Sequence, residues 1–582
     1  MKYIEVDKEK LTVTLRKKEF SGSDVFLFRC YNLSWKPNGE IVVPVRSTTK
    51  RAMNILLNNM FPSYTKLWEP NYVNDIHSQI KECYDLFESG FDKAVKDKGL
   101  FKEYDKLFAH QKEGVRAQCY REFTILSFEQ GLGKTVTSLV PSLIMNSKLT
   151  LIIVPATLKY NWVQEMTKVW SIPKNQITVL GTKNDIADNE RFIIINYEMV
   201  EKYFETLISK NISRMIIDEC HYIKNRDSKR TRLVKSLRYK LGCKVSFLSG
   251  TPSPNKIVDI FSYLEIANHP HGQSYRKFLN QFCYTQESKF GTRIVKGKNI
   301  ELLSRDMQNL LIRKLKINCL DLPPKNYIKV NFESEEYNLE YNEIYNKLLQ
   351  ELMKSGGGRS VEINSQLNTL QIITAKAKVK PTIELAENIM EQETSRVING
   401  VQKFYNKKVI ITCNFVQPLK MLAEYFKVWD VNNRDPEAKA IFIHGGINPD
   451  KRMPLVDEFK NNPNLQVLIG QTTCIGVGLN ITECSDVIFL NFPYTRAEIE
   501  QLVDRTHRIG QVESVTSYFT VLLGKIDEMI YDLVVSKYRD ISYLIDNKVD
   551  NTETVDVGED IIDDNLFSKI TNDILNKQLV AN

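Results

Sequence analysis

A chain of 582 residues exceeds what one hydrophobic core supports and implies about three to four domains. Its 42% hydrophobic and 26% charged residues suit a globular protein. No apolar run nears the ~18 residues of a membrane span, and Met1-Lys2-Tyr3-Ile4-Glu5 lacks a secretory signal's basic-then-apolar pattern. Ten cysteines, scattered from Cys30 to Cys484 with no Cys-x-x-Cys pair, argue against a disulfide framework or structural zinc. They favour a reducing, intracellular compartment. Net charge is +8, but residues 541–582 hold nine acidic side chains against three lysines, so a −6 tail leaves +14 on the body. A basic body suits a polyanion partner, because neutralised phosphate supplies most non-specific affinity. A lysine surplus kept for solubility is the competing explanation.

Residues 1–95 carry no catalytic motif. Leu11-Thr-Val-Thr-Leu15 and Ile41-Val-Val43 alternate as strands, and Asn38-Gly39 is a hairpin turn. They predict a small β-rich accessory domain, then helix. Its basic residues Arg16, Lys17, Lys18, Arg46, Lys50 and Arg51, with Tyr31 and Trp35, would suit DNA contact; an ordinary charged β-surface is the alternative. Over 96–255, short apolar runs alternate with helix-length stretches: Phe123–Phe128, Leu149–Val154, Phe192–Tyr197, Met215–Asp218 and Val245–Ser249. That pattern predicts a parallel sheet covered by helices on both faces. Residues 256–400 read as a helical insertion broken by Gly356-Gly357-Gly358. Over 401–540 a second strand series follows: Val409–Thr412, Ala440–His444, Val467–Gly470, Val487–Asn491 and Val515–Leu523. The expected fold class is α/β, two tandem RecA-like doubly wound lobes with a helical insertion and a β-rich N-terminal domain. The acidic tail, 541–582, reads as a solvated terminus; the sharper alternative has Asp556 to Asp564 imitate phosphate over the basic groove.

Gln130-Gly131-Leu132-Gly133-Lys134-Thr135 follows the first strand of the first series. Glycines let backbone N–H groups curl around phosphate oxygens, and the next helix turns its positive end toward them. Lys134 would reach the β- and γ-phosphates of ATP, and Thr135 would ligate Mg²⁺. Phe128 stands where the full phosphate-loop pattern has glycine. Eighty-four residues after Lys134, Met215-Ile216-Ile217 runs into Asp218-Glu219. Carboxylates at the C-terminal end of a parallel strand lie where doubly wound sheets bind ligands. Asp218 would hold Mg²⁺ and Glu219 would orient and deprotonate the attacking water. Together the two motifs indicate an ATPase.

Asp218-Glu219-Cys220-His221 resembles the DEAH box of superfamily 2 helicases, with Cys for the usual Ala. Further segments are similar to the Swi/Snf-type branch of DNA translocases, its small annealing-helicase-like and phage or bacterial members above all. Val154-Pro155-Ala156-Thr157-Leu158 with Asn161-Trp162 resembles motif Ia, and Leu248-Ser249-Gly250-Thr251-Pro252 resembles motif III. Gln111 matches the glutamine that reads adenine, and Arg313-Lys314-Leu315 the inter-lobe segment. Gly476-Val477-Gly478-Leu479-Asn480 is similar to motif V, while His444-Gly445-Gly446 and Arg452 match the stretch before it. Gln501-Leu502-Val503-Asp504-Arg505-Thr506-His507-Arg508-Ile509-Gly510-Gln511 resembles motif VI over eleven contiguous residues.

The resemblance spans roughly residues 105 to 525. It implies that Gln111, Gly131, Gly133, Lys134, Thr135, Gly478 and Gln501 bind ATP. It implies too that Arg505 and Arg508, expected on one helical face, stabilise the charge on the transferring phosphoryl group. Thr157, Asn161, His221, Ser249, Thr251 and Thr472 are implied to touch nucleic acid or couple it to the nucleotide. The implied activity is ATP-driven movement along duplex or branched DNA by a monomer without membrane contact, in repair, recombination or fork remodelling. An RNA-directed helicase, a motor subunit of a nuclease or restriction complex, and a nucleotide-gated scaffold remain alternatives.

Overall fold

The computed structural model describes residues 4–61, 70–99, 101–181, 190–250, 257–288, 291–355, 361–398, 401–429, 435–447, 449–476, 481–493, 496–508 and 510–532. The acidic tail, Gly356-Gly357-Gly358, Thr251 and Gly478 lie outside the described residues. The chain divides into two compact units, Met1–Cys319 and Leu320–Asn582. Among the described residues no helix is long and apolar enough to cross a membrane.

The first unit opens with an antiparallel sheet of β1 (Ile4–Asp7), β2 (Thr12–Arg16), β3 (Trp35–Lys36) and β4 (Glu40–Pro44), ordered β1-β2-β4-β3. Asn38-Gly39 makes the turn between β3 and β4; Gly39 takes φ +82°, and a Cβ there would lie 1.7 Å from the Lys17 carbonyl oxygen. Glycine is therefore obligatory. Helices Gly22–Cys30, Lys50–Met60 and Pro70–Asp97 cover the apolar face.

This domain is fastened to the lobe that follows it. Asn309 donates from Nδ2 to the carbonyls of Tyr31 and Ser47 and accepts from the Thr49 amide. Arg121, buried, donates to the Ser47 and Asn309 carbonyls. Cys30, His271 and Asp306 meet in the same seam; His271 Nε2 and Arg305 hold the two carboxylate oxygens of Asp306. All ten cysteines are free.

Three of the six basic residues named for the N-terminal domain make ion pairs within it. Arg16 contacts Glu5 and Glu40, Lys17 pairs with Asp24, and Lys50 with Asp85 and Glu88. Tyr31 is 1% exposed, its hydroxyl donating to the Arg305 carbonyl, so it is a core residue and no stacking platform.

The first lobe is a seven-stranded, wholly parallel sheet. Its strands are β5 (Phe123–Phe128), β6 (Thr150–Val154), β7 (Ile177–Val179), β8 (Phe192–Asn196), β9 (Arg214–Ile217), β10 (Lys244–Leu248) and β13 (Leu311–Lys314), in the order β13-β5-β10-β9-β6-β8-β7. The central strands are buried throughout, which is why they read as apolar runs. β11 (Cys283–Ser288) and β12 (Gly291–Gly297) form a separate hairpin.

The second lobe is a six-stranded parallel sheet, β14-β21-β20-β17-β19-β18, built from β14 (Lys325–Phe332), β17 (Val409–Cys413), β18 (Ala440–Ile443), β19 (Val467–Gln471), β20 (Asp486–Phe489) and β21 (Val515–Leu522). β15 (Glu393–Ile398) pairs with β16 (Val401–Asn406) as another isolated hairpin. The two sheets are tandem RecA-like lobes of α/β class, with a helical region between their strand series. The stretch 256–400, expected to be mainly helical, holds the helices Asn338–Ser355, Val361–Ala377 and Val379–Met390 but also gives β13 to the first sheet and β14 to the second, besides β11, β12 and β15. β13 and β14 are edge strands of mixed composition, Leu-Ile-Arg-Lys and Lys-Asn-Tyr-Ile-Lys-Val-Asn-Phe. They lack the apolar run that marks a buried central strand.

A buried ion pair ties the helical region of the second unit to its sheet. Lys378, wholly buried, donates from Nζ to Asp527 at 2.5 Å and to the Thr520 carbonyl at 2.8 Å; Thr374 donates to the other Asp527 oxygen. Lys378→Met strands the Asp527 charge and should cost about 3–5 kcal/mol in urea unfolding. Lys378→Met/Asp527→Leu should recover most of that loss, because it removes both charges.

Candidate active site and its flanking motifs

β5, β10, β9, β6 and β8 are consecutive neighbours, and each releases its loop at the same, C-terminal edge. The motifs after these strands are thereby brought side by side: the phosphate loop after β5, Ser249-Gly250 after β10, Asp218-Glu219 after β9, and Pro155–Trp162 after β6. In the phosphate loop, Gly131 and Gly133 have φ of +88° and +79°. Left-handed glycines turn successive N–H groups into one concavity, an anion-binding nest. A Cβ at Gly133 would lie 2.2 Å from Gln111 Nε2, so the loop and the helix Ala109–Tyr120 fit only with glycine here. These features fit a phosphate ligand.

Gln111 is 7% exposed and has both ends engaged. Its Oε1 accepts from the Phe108 amide and its Nε2 donates to the Leu132 carbonyl, which also accepts from His110 Nε2. Lys134 starts the helix Lys134–Ile144, and its Nζ donates to the Phe128 carbonyl at 3.0 Å. Thr135, half-buried, follows it. Pro141 within this helix leaves the Thr137 carbonyl without an amide four residues on. Gln118 Nε2 supplies the missing donor at 2.8 Å, with a second bond to Gly114 O. Helix and loop are thus braced by two glutamines of the preceding helix.

Asp218 is 7% exposed. Its Oδ2 accepts from Trp162 Nε1 at 2.8 Å and its Oδ1 from the Glu219 amide at 2.9 Å. Burial, with the Glu219 charge adding, pushes its carboxyl up to about 6, while Trp162 and the Lys134 ammonium pull the other way. Glu219 adopts φ 48°, ψ 55°. For a residue with a Cβ that left-handed conformation costs about 1–2 kcal/mol. The Tyr197 hydroxyl donates to the Asp218 carbonyl at 2.6 Å, and His221 Nδ1 lies 3.3 Å from Glu219 Oε2. Ser249 is fully buried. Arg313, on β13, donates to the Ser127 and Gly250 carbonyls, tying the end of β5 to the loop after β10. Asn161 is half-buried on the helix Lys159–Gln164; the Thr157 side chain lies outside the described residues. Sequence reasoning gave no role at the acid pair to Trp162 or Tyr197.

In the second unit, helix Arg496–Thr506 carries Gln501, half-buried, and Arg505, 7% exposed, whose Nε donates to the Gly476 carbonyl at 2.8 Å. Arg508 lies beyond the helix end, its Nε donating back to the Asp504 carbonyl at 3.0 Å. The expectation of both arginines on one helical face is corrected accordingly: the helix stops at Thr506, before the spacing can act. Asp504 and Glu500 clamp Lys325 of β14. Gln511 Nε2 caps the carbonyls of Thr482, Cys484 and Thr506. Thr472, 2% exposed, starts the short helix after β19 and is hydrogen-bonded to Thr412 of β17. His444 Nδ1 accepts from the Gly446 amide, and Arg452 Nε donates to the Ile447 carbonyl.

Comparison with known proteins adds family to this geometry. Residues 110–383 match the SNF2-related domain and residues 391–510 the helicase conserved C-terminal domain. The mouse DNA annealing helicase and endonuclease ZRANB3 is 24% identical over 452 residues, 74% of this chain and 40% of its own. A Caenorhabditis elegans homolog of the SWI/SNF-related matrix-associated actin-dependent regulator of chromatin subfamily A-like protein 1 is 26% identical, over 74% of this chain and 61% of its own. An ATP-dependent helicase of Mycoplasma pneumoniae is 25% identical over 84% of this chain and 48% of its own. The chain thus spans less than two thirds of each of these relatives. With a phosphate loop after β5 and an acid pair after β9, two strand ends separated only by β10, and both domain matches in series, the chain belongs to the SNF2-related ATPases with a helicase C-terminal domain.

Proposed function

We propose that this ATPase couples ATP hydrolysis to movement along duplex or branched DNA, inside the cell, in repair, recombination or fork remodelling. The observation that carries the reading is the convergence of Lys134, Asp218-Glu219 and Ser249-Gly250 on three adjacent strand ends. Among the relatives, ZRANB3 is described as a DNA annealing helicase, which favours DNA over RNA. The +14 body supports a polyanion partner.

In this reading the glycine loop and Lys134 bind the ATP phosphates, Gln111 faces the adenine, and Gly478 and Gln501 add nucleotide contacts. Thr135 and Asp218 would hold Mg²⁺, which when bound neutralises phosphate charge. Glu219 orients the attacking water and takes its proton. Arg508, aided by Arg505, stabilises charge on the transferred phosphoryl oxygens. Asn161, Thr157, Ser249, Thr251 and His221 relay the state of the nucleic acid to the nucleotide.

ATP turnover measured with single-stranded, duplex and forked DNA and with RNA tests this. Duplex or forked DNA should raise kcat most, with a strong dependence on salt. Greater stimulation by RNA would replace the reading with an RNA-directed helicase.

A further inference from the structure

The acid pair is held from two sides by residues that lie remote in sequence. Trp162 comes from the loop and helix after β6, Tyr197 from the turn after β8, and the pair itself follows β9. Because β6 lies between β9 and β8 in the sheet, both side chains reach one turn. Trp162 (2% exposed) fixes the carboxylate of Asp218 by a 2.8 Å bond to Oδ2. Tyr197 (1% exposed) fixes the main chain, with its hydroxyl 2.6 Å from the Asp218 carbonyl oxygen and 3.5 Å from that of Glu219. The Tyr197 ring also stacks on Tyr222, three residues past Glu219, at 5.5 Å and 8°.

Each contact alone is what a buried polar side chain requires. Their joint target is less ordinary: the turn between them places Glu219 in a left-handed conformation that it would leave if released. The Asp218 carboxylate and the backbone that carries Glu219 are pinned independently, so both are set before any ligand arrives. Such preorganisation favours the transition state over looser ground-state arrangements.

We infer that Trp162 and Tyr197 are positioning residues that clamp the Asp218–Glu219 turn, and that ATP turnover depends on both clamps. This rests on Glu219 being the base. Tyr197→Phe keeps the ring stacking and removes only the hydroxyl; Trp162→Phe removes only the indole donor and some bulk.

The test uses the full chain with duplex DNA and combines single-turnover and steady-state rates, fluorescent ATP-analogue binding and thermal unfolding for Tyr197→Phe, Trp162→Phe, Glu219→Gln and each double variant. Each single positioning variant should lower kcat about tenfold or more, a modest share of a general base's 10²–10⁴. KM and analogue affinity should stay within about twofold, the mark of an effect confined to the transition state. Tyr197→Phe combined with Glu219→Gln should be no slower than Glu219→Gln alone, since the backbone clamp acts through that residue, whereas Trp162 acts first on the Asp218 carboxylate. Wild-type kcat in both positioning variants, or losses that multiply in the Tyr197→Phe/Glu219→Gln double variant, overturns the clamp while an inactive Glu219→Gln preserves the base assignment. An active Glu219→Gln overturns the base assignment itself. Should Tyr197→Phe melt below the assay temperature, Trp162→Phe decides the matter, and wild-type kcat there overturns the clamp.

Discussion

Glu219→Gln is expected to slow ATP turnover about 10²–10⁴-fold, the usual range for losing a positioned general base. The amide keeps the size and nearly the shape of the carboxylate, so the packed turn between Trp162 and Tyr197 should survive. Affinity for ATP should hold or rise slightly, because one negative charge leaves the neighbourhood of the phosphates. Lys134→Ala should behave differently. Its ammonium, now on the Phe128 carbonyl, is assigned to the phosphates themselves, so both affinity and rate should fall. Phosphate release and analogue binding, measured on the two variants side by side, distinguish a base from a binding residue. Wild-type turnover in Glu219→Gln would remove it from the chemistry.

What sequence alone reveals about this site follows from how tightly chemistry constrains each part. A phosphate nest demands glycines with positive φ followed by a lysine at a helix start, so Gly131-Leu132-Gly133-Lys134 is conspicuous without any fold. Asp218-Glu219 is legible because three apolar residues before it mark a buried strand. Central strands such as β6 and β8 show themselves by being buried on both faces. β13 and β14 do not, since an edge strand keeps charged and polar side chains where solvent meets it. The partners of the acid pair are hidden for another reason. Trp162 and Tyr197 precede Asp218 by 56 and 21 residues, and only the order β9-β6-β8 brings them to it. Strand order depends on how crossover connections pack, which no local pattern records. The ion pairs of the N-terminal basic residues are hidden for a similar reason: Arg16, Lys17 and Lys50 count as surplus charge until the fold reveals the carboxylates beside them.

The two arginines of the second lobe, alike in sequence, should separate in experiment. Arg508→Ala is expected to lower kcat about 10³–10⁵-fold, the effect of removing an arginine finger, with ATP affinity nearly unchanged and the unfolding transition in place. Its guanidinium stem lies past the helix end and is half-exposed, so little packing is lost with it. Arg505 is buried, and its Nε holds the Gly476 carbonyl where the Gly476–Asn480 motif begins; its own carbonyl accepts from the Ile481 amide where that motif ends. Arg505→Ala strips a buried carbonyl of its donor and leaves a void, which together should cost about 2–4 kcal/mol of stability. Arg505→Lys tests the point further: lysine retains the charge but lacks the Nε donor in its place, so a purely electrostatic role would be rescued and an anchoring role would not. If Arg505→Lys restores turnover and stability together, the anchor is not needed and Arg505 acts through its charge. If Arg508→Ala instead loses affinity and rate in equal measure, its contact is made in the ground state and the finger assignment fails.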